Sequence, residues 1–159
     1  MDTIKMSKWY FDSKEKQEAL KKELEEWKGT PFRHRAGVKK VGADCIHFCI
    51  KVYELVGALK GAVKKIPYYG HDWCFHTDEE ILYNAIKGSN YFEEIFNWET
   101  IMNGDLVLYK FGRATSHSAI YFDRNIHQAV NITGVHKMLY IDHQWSIRRR
   151  YLFRVKNNV

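Results

Sequence analysis

The chain has 159 residues, a length typical of one globular domain with a sizeable core. Hydrophobic residues make up 45% and aromatic residues 15%, which excludes a disordered chain, and no apolar run approaches the roughly 20 residues that span a bilayer. The formal net charge of +6 favours acidic partners such as nucleic acid, anionic polymers or a membrane surface. The basic residues are spread thinly and no nucleic-acid motif accompanies them, so we do not expect nucleic-acid binding.

Two features bear on where the chain acts. The segment from Met1 to Trp9 has no apolar stretch of the kind found in a secretory signal peptide, so we expect the chain to be made without one. The three cysteines are an odd number, and Cys45 and Cys49 lie on one predicted helix, so they do not form a disulfide framework. We expect a chain with reduced thiols that acts inside the cell that makes it or leaves by another route.

The first part of the chain predicts two helices. Ser13 caps an amphipathic helix over residues 13–28, which Gly29 ends. A turn-rich segment and a polar loop follow. The second helix, from Gly42 to Gly57, is apolar on nearly every side, which is typical of a helix buried in the middle of a domain.

A third helix and then a series of strands are predicted after that. Thr77 to Glu80 forms a capping box before an apolar stripe that ends at Gly88. Five later segments have the length and the β-branched or aromatic content of an antiparallel meander: Asp105–Phe111, His117–Phe122, Asn125–Val130, Val135–Ile141 and Ile147–Val155. Helices followed by strands predict a single α+β domain over residues 1–159, with the central helix packed on one face of a curved sheet.

Cys45 is the candidate nucleophile. Asp44 is a good N-cap, which places Cys45 in the first turn of the central helix. Unpaired backbone N–H groups and the helix dipole favour an anion there, so a thiol can be held as a thiolate near neutral pH. Such a nucleophile needs a base and a third group that orients the base. His117 and His127 lie on consecutive predicted strands, and we expect both side chains to point to the same face of the sheet.

Short motifs occur in a fixed order along the chain. They are Trp27-x-Gly29-Thr30-Pro31-Phe32, Asp44-Cys45, Gly104-Asp105-Leu106-Val107-Leu108-Tyr109, and His117-Ser118-Ala119-Ile120-Tyr121 followed by Ile126-His127-Gln128-Ala129. In this order they resemble the NlpC-type cell-wall peptidases, from Trp27 to about Val155. The phage-tail and gene-transfer-agent branch is the most similar, because it has a comparable Arg-His pair after the Thr-Pro step and a comparable Asp-Trp segment, here Asp72-Trp73.

The resemblance implies a papain-like α+β fold and an endopeptidase that cuts peptidoglycan stem peptides, typically between γ-D-glutamyl and a diamino acid. It implies Cys45 as nucleophile, His117 as general base and acid, and His127 as the orienting residue, and no cofactor is expected. The backbone N–H of Cys45 would donate to the oxyanion. Peptidoglycan and phage or prophage tail proteins are the expected partners. A tail protein made in the bacterial cytoplasm would reach the cell wall in a phage-like particle, without a signal peptide.

The sequence departs from the family pattern beside the nucleophile. Ile46-His47 stands where the family usually has Ser-Gly, and Phe32 stands where it usually has Tyr. Two polar contacts near the thiol are therefore missing, and Tyr68 or Tyr69 is a candidate to replace the lost hydroxyl. Asp44 and Phe32 remain candidates for substrate or oxyanion contacts.

The spacing of the two histidines also departs from the family, because it is shorter. A hairpin turn centred on Phe122 would set His117 opposite His127, whereas one centred on Arg124 would set it opposite Asn131. Asn131 therefore stays open as the orienting residue of a Cys-His-Asn arrangement.

Two other functions stay open. The altered residues near Cys45 are compatible with a catalytically altered wall-binding or tail-structural module on the same fold. A zinc-stabilised basic domain is the second alternative, since five residues are of types that bind zinc, although their spacing is irregular: Cys45, Cys49, His71, Cys74 and His76.

Overall fold

A computed structural model describes residues 7–157 of the chain. Within this range the helices are α1 (Lys14–Trp27), α2 (Cys45–Leu55), α3 (Ile81–Gly88) and α4 (His143–Ser146). The strands are β1 (Gly37–Val38), β2 (Gly42–Ala43), β3 (Phe92–Glu94), β4 (Leu106–Phe111), β5 (Ala114–Phe122), β6 (Asn125–Val130), β7 (Gly134–Leu139) and β8 (Arg149–Val155). Short 3-10 turns occupy Tyr10–Asp12, Val63–Lys65, Trp73–Phe75 and Trp98–Thr100.

None of the helices described between residues 7 and 157 combines the length and the apolar character needed to cross a membrane. The first six residues of the segment considered for a signal peptide lie outside the described residues.

Local sequence explains where the first two helices begin and end. Ser13 accepts a hydrogen bond from the backbone N–H of Lys16 at the start of α1, and Asp44 accepts one from the N–H of His47 at the start of α2. Gly29 and Gly57 follow these helices with φ of +83° and +85°, a conformation in which a side chain is strained. The predictions of both helices and of their capping residues are confirmed, except that Gly42 and Ala43, the first residues of the predicted second helix, form β2.

The start of α3 differs from the predicted capping box. The helix begins at Ile81, and Glu80 in front of it makes no side-chain capping bond. The hydroxyl of Thr77 accepts from the N–H of Glu79, while the carboxylate of Glu80 accepts from the N–H of Thr115. The prediction of a capping box is wrong, because its acidic residue binds the start of β5 instead.

Six of the described strands form one antiparallel sheet in the order β3-β8-β4-β5-β6-β7. Helix α2 packs on β5 and β6 and, with α1, supplies the larger core, which includes Phe48, Tyr53, Leu108, Ile120 and Phe153. A smaller apolar cluster on the opposite face contains Val107, Tyr109, Ala119, Ile126 and Leu152. The α+β architecture with a central helix on an antiparallel sheet is confirmed.

The turn between β5 and β6 decides which side chains share a face. It consists of two residues, Asp123 and Arg124, with φ of +48° and +64°, as in a type I′ hairpin turn. In the resulting register Ile120 pairs with His127. Paired residues point to the same face and side chains alternate along a strand, so His117, three residues before Ile120, points to the opposite face from His127. The prediction that the two histidines share a face is wrong.

Candidate active site

A cleft of about 290 Å³ opens at the N-terminal end of α2. Cys45, the first residue of that helix, lines it together with His117 from β5. Much of the remaining wall is aromatic and includes Phe32, His34, Tyr69, Trp73, Phe111 and Trp145. The structure therefore brings the predicted thiol and the predicted imidazole into one cleft.

Cys45 is partly buried, and its thiol is protonated in this arrangement. Sγ donates to the backbone carbonyl of Ser116 at 3.7 Å, while the hydroxyl of Ser118 donates to the Cys45 carbonyl at 2.9 Å. Burial, and after it the negative charge of Asp44, raise the pKa of the Cys45 thiol to about 12. The prediction of a thiolate near neutral pH is therefore wrong, because desolvation outweighs the favourable field of the helix start.

His117 is buried between aromatic rings and hydrogen-bonded to the next strand. Its ring centroid lies 5.0 Å from that of Trp145 and 5.8 Å from that of Phe111. Nε2 lies 2.8 Å from Oε1 of Gln128 on β6. An amide oxygen only accepts, so Nε2 carries the hydrogen and Nδ1 is the basic nitrogen. Burial lowers the pKa of His117 to about 4, so the ring is neutral at neutral pH.

His127 lies away from this site, on the side of the sheet that faces α1. It is 5% exposed and lines a cavity of about 60 Å³ with Lys21, Leu24 and Glu25. Its Nδ1 has no hydrogen-bond partner among the described residues, and burial lowers the pKa of the ring to about 4. The structure does not bring His127 to His117, since the hairpin register turns the two side chains to opposite faces.

Gln128 occupies the place predicted for His127, and the sequence prediction misses it. The signal that could have found it is the size of the turn: with two turn residues, Gln128 and not its neighbour shares a face with His117. Asn131 is exposed in the turn after β6, where it lines the cleft. No hydrogen bond joins it to His117 in the part of the chain that the structure describes.

The Asp44 carboxylate is taken up by contacts within the protein. Oδ1 accepts from the N–H of His47 at 2.8 Å and lies 3.0 Å from Nδ1 of the same residue. Oδ2 accepts from the N–H of Arg35 at 2.8 Å and from the hydroxyl of Tyr69. Burial acts to raise the pKa of Asp44, but the hydrogen bonds from His47 and Tyr69 together lower it. Asp44 is thus a cap for α2, with no free carboxylate oxygen turned to a substrate.

The residues that depart from the family pattern surround the same carboxylate. His47 is buried, with Nδ1 also 2.8 Å from the Tyr69 hydroxyl, so it is a capping residue that faces the interior. Tyr69 brings a hydroxyl to the wall of the cleft, where Phe32 supplies none. Tyr68, the other candidate for this role, is 77% exposed and lies under the guanidinium of Arg35.

The five residues considered from the sequence as zinc ligands do not form one metal-binding group. Cys49, on the buried side of α2, is part of the core, and His76 is paired with Asp72 on the surface at 2.9 Å. His71 and Cys74 line the cleft. Among residues 7–157, no three side chains of the His, Cys, Asp or Glu type form a group that could hold a metal ion.

A thiol at the start of a central helix and an imidazole on the adjoining antiparallel sheet define a papain-like α+β protein. The model of the NlpC/P60 family matches residues 29–151 of this chain. The chain belongs to the NlpC/P60 family.

Several solved structures share the fold. A Staphylococcus aureus subsp. aureus Mu50 protein, described as similar to a lipoprotein of the NLP/P60 family, has a TM-score of 0.66 and 18% identity, over 98% of this chain and 46% of that one. The NlpC/p60 domain of the peptidoglycan hydrolase SagA has a TM-score of 0.56 and 16% identity, over 86% of this chain and 96% of that one. NlpC1 from Trichomonas vaginalis has a TM-score of 0.58 and 11% identity, over 97% and 49%.

At these identities the likeness establishes the fold alone. The chain spans about half the length of the Staphylococcus and Trichomonas proteins. No curated protein sequence matches the chain.

Proposed function

We propose that the chain is a cysteine endopeptidase, a single catalytic domain that hydrolyses amide bonds of peptidoglycan stem peptides. The expected bond joins γ-D-glutamyl to a diamino acid. Membership of the NlpC/P60 family and the fold shared with the domain of a peptidoglycan hydrolase support this function. The observation that carries it is the one cleft that both Cys45, at a helix start, and His117 line, with Nε2 of His117 held by Gln128.

The arrangement supports a mechanism in which proton transfer accompanies attack. Because the thiol is protonated and the imidazole neutral, Nδ1 of His117 takes the Cys45 proton as Sγ adds to the amide carbonyl carbon. The Cys45 N–H donates to the oxyanion, an interaction worth roughly 3–4 kcal/mol in other enzymes. His117 then protonates the leaving amine, and water, deprotonated by His117, hydrolyses the thioester to release the acid and restore the thiol. Gln128 keeps the ring in the tautomer that this sequence requires.

The charge of the cleft fits an anionic peptide. Among the described residues that line the cleft, Asp44 is the one acidic residue. Both oxygens of its carboxylate already accept hydrogen bonds within the protein. His34 and His71 lie together in the wall with ring centroids 5.1 Å apart. Stem peptides carry free carboxylates. A cleft wall with imidazoles and no free carboxylate repels such an anionic peptide less than an acidic wall would.

Purified protein incubated with peptidoglycan, or with a γ-D-glutamyl-diamino acid peptide, tests the proposal. We expect product from the wild type and none from Cys45→Ala. Cys49→Ala is the matched control, because Cys49 is in the core and does not line the cleft. Equal product release by Cys45→Ala and the wild type would refute the proposal. Release by none of the proteins, with binding to sedimented cell walls, would favour the wall-binding module.

We further propose that the chain acts as part of a phage-like tail. The support is the Arg33-His34 pair and the Asp72-Trp73 segment, which resemble the phage-tail and gene-transfer-agent branch. His34 and Trp73 both line the cleft that holds Cys45, so we expect these two motifs to contact the substrate. Mass spectrometry of purified particles from cells that make the protein is the test, and particles without it would refute the association.

A further inference from the structure

The hydrogen bonds that orient His117 continue beyond Gln128 to the next strand. Nε2 of Gln128 lies 3.4 Å from Nε2 of His136 on β7 and 3.9 Å from Sδ of Met138. On the other side of the His136 ring, Nδ1 lies 3.1 Å from the carbonyl oxygen of Gly134. Gln128 is fully buried, so both ends of its amide depend on these neighbours for hydrogen bonds.

The Gly134 carbonyl determines which group donates and which accepts in each hydrogen bond from His136 to His117. A carbonyl only accepts, so Nδ1 of His136 carries the hydrogen, and Nε2 of the neutral ring is left as an acceptor. The NH2 group of Gln128 therefore donates toward His136, and its Oε1 is left to accept from His117. Nδ1 of His117 keeps its lone pair, as a base in the cleft must.

We infer that His136 is a positioning residue that sets the tautomer of His117 through the side-chain amide of Gln128, and that protonation of His136 reverses this tautomer. The consequence for catalysis rests on the proposed function, whereas the coupling itself rests on the hydrogen bonds alone. His136 does not touch the substrate or the thiol, and it acts through Gln128.

The reversal follows from the donors and acceptors of the three side chains. When His136 is protonated, both of its ring nitrogens donate, so its Nε2–H opposes the NH2 group of Gln128. Rotation of the amide by half a turn removes the conflict, because Oε1 then accepts from His136. The NH2 group now donates to Nε2 of His117, which must give up its hydrogen. His117 carries the hydrogen on Nδ1 instead and can no longer accept a proton from the thiol.

The polar groups that face His136 are mainly on the neighbouring strands of the sheet, so its protonation affects those groups first. Gln128 on β6 and, beyond it, His117 on β5 are the polar groups in line with the ring, and Lys137 is the adjacent residue on β7, pointing to the other face. From α4, Trp145 packs on the His117 ring. Within residues 7–157, the rings of His47 and His76 are each hydrogen-bonded to a carboxylate, and no carboxylate is paired with His136. Burial lowers the pKa of His117, and charge on His136 lowers it further, so both rings are not charged together.

Nitrogen NMR of protein labelled with ¹⁵N-histidine tests the inference, because imidazole ¹⁵N shifts distinguish the two tautomers. In the wild type we expect His117 to change from the Nε2–H to the Nδ1–H form in step with the protonation of His136. His136→Gln keeps an acceptor for Gln128 but does not titrate, so the Nε2–H form should persist to lower pH. His143→Gln, which alters an exposed histidine outside the chain of bonds, should titrate like the wild type.

Activity supplies a second measurement. We expect the acid limb of the kcat profile on peptidoglycan to move to lower pH in His136→Gln. His136→Phe, which offers no acceptor, should lower kcat roughly tenfold at neutral pH with KM unchanged. A His117 tautomer that titrates identically in the wild type and in His136→Gln would overturn the inference whatever the activity. A coupled tautomer change in a protein that releases no product would support the inference and overturn the proposed function.

Discussion

Gln128 and His127 are neighbours on β6 with opposite surroundings. Gln128 meets the imidazole of His117 in the cleft, whereas His127 is buried under α1 with an unpaired Nδ1. Histidine is the residue type more often associated with catalysis, but the pleat of the strand places the amide, and not the imidazole, against His117. Substitution of one residue at a time separates the two positions.

Gln128→Leu should lower kcat/KM about 100-fold, because leucine cannot accept from Nε2–H and the His117 tautomer is no longer fixed. His127→Leu should leave kcat/KM unchanged, since that side chain is on the other face of the sheet. Steady-state kinetics on a soluble stem peptide compares them. Equal losses in the two variants would contradict the assignment of Gln128.

The raised pKa of Cys45 gives a second prediction at the residue scale. Alkylation by iodoacetamide should become about tenfold faster for each pH unit through neutral pH and on beyond pH 9, because the thiolate fraction keeps rising below a pKa of about 12. Cys45→Ala supplies the blank, and the core position of Cys49 keeps that thiol out of reach. A plateau near neutral pH would instead indicate a thiolate–imidazolium pair.

Among the elements, the β5–β6 hairpin has the most influence on the site. Its turn holds two residues with side chains at positive φ, Asp123 and Arg124, where asparagine and glycine are the usual pair. Some strain is therefore retained in a turn whose length decides the partner of His117. Relief of this strain should leave the register, and with it the site, unaltered.

Arg124→Gly should stabilise the protein by about 0.5 kcal/mol, because relief of roughly 1 kcal/mol of left-handed strain exceeds the added freedom of the unfolded chain. Arg124→Ala is the matched control, since alanine removes the same side chain but keeps the strained Cβ. The free energy of unfolding in urea measures both. Equal stabilities of the glycine and alanine variants would show that the turn is not strained.

At the scale of the whole molecule, two buried neutral histidines lie on opposite faces of one sheet, His117 in the cleft and His127 under α1. Burial lowers the pKa of each to about 4. An unfolded histidine has a pKa near 6.5, so between about pH 6.5 and 4 the unfolded chain binds more protons than the folded one. These residues therefore contribute stability at neutral pH that is lost as the pH falls through this window.

The expected loss between pH 7 and pH 5 is about 2 kcal/mol for each of these histidines. His127→Leu should remove one of the two contributions and make the stability less dependent on pH. His143→Leu, at an exposed position, should not. Urea unfolding of the three proteins at both pH values is the measurement, and parallel losses in all three would contradict this origin of acid sensitivity.

The sequence predicts most of the fold because its strongest signals are local. Ser13, Asp44 and Gly57 mark the ends of helices by their own side chains or lack of one. Strand β3 is missed, since three residues at Phe92–Glu94 become a strand only by pairing with β8, some 60 residues later along the chain. The site is predicted only in part, because it too depends on residues far apart in the sequence. The pKa of Cys45, for example, depends on burial against β5, about 70 residues later.

The two turn residues between β5 and β6 also affect how this sequence is aligned with its relatives. Matching letters sets Ile126-His127 against the family's Ile-His pattern, whereas matching faces sets Gln128 against the residue that touches the imidazole. A gap of one position in this turn therefore decides which side chain is aligned with the residue that contacts His117. Hairpins in such alignments are best compared by whether their turns contain an odd or even number of residues.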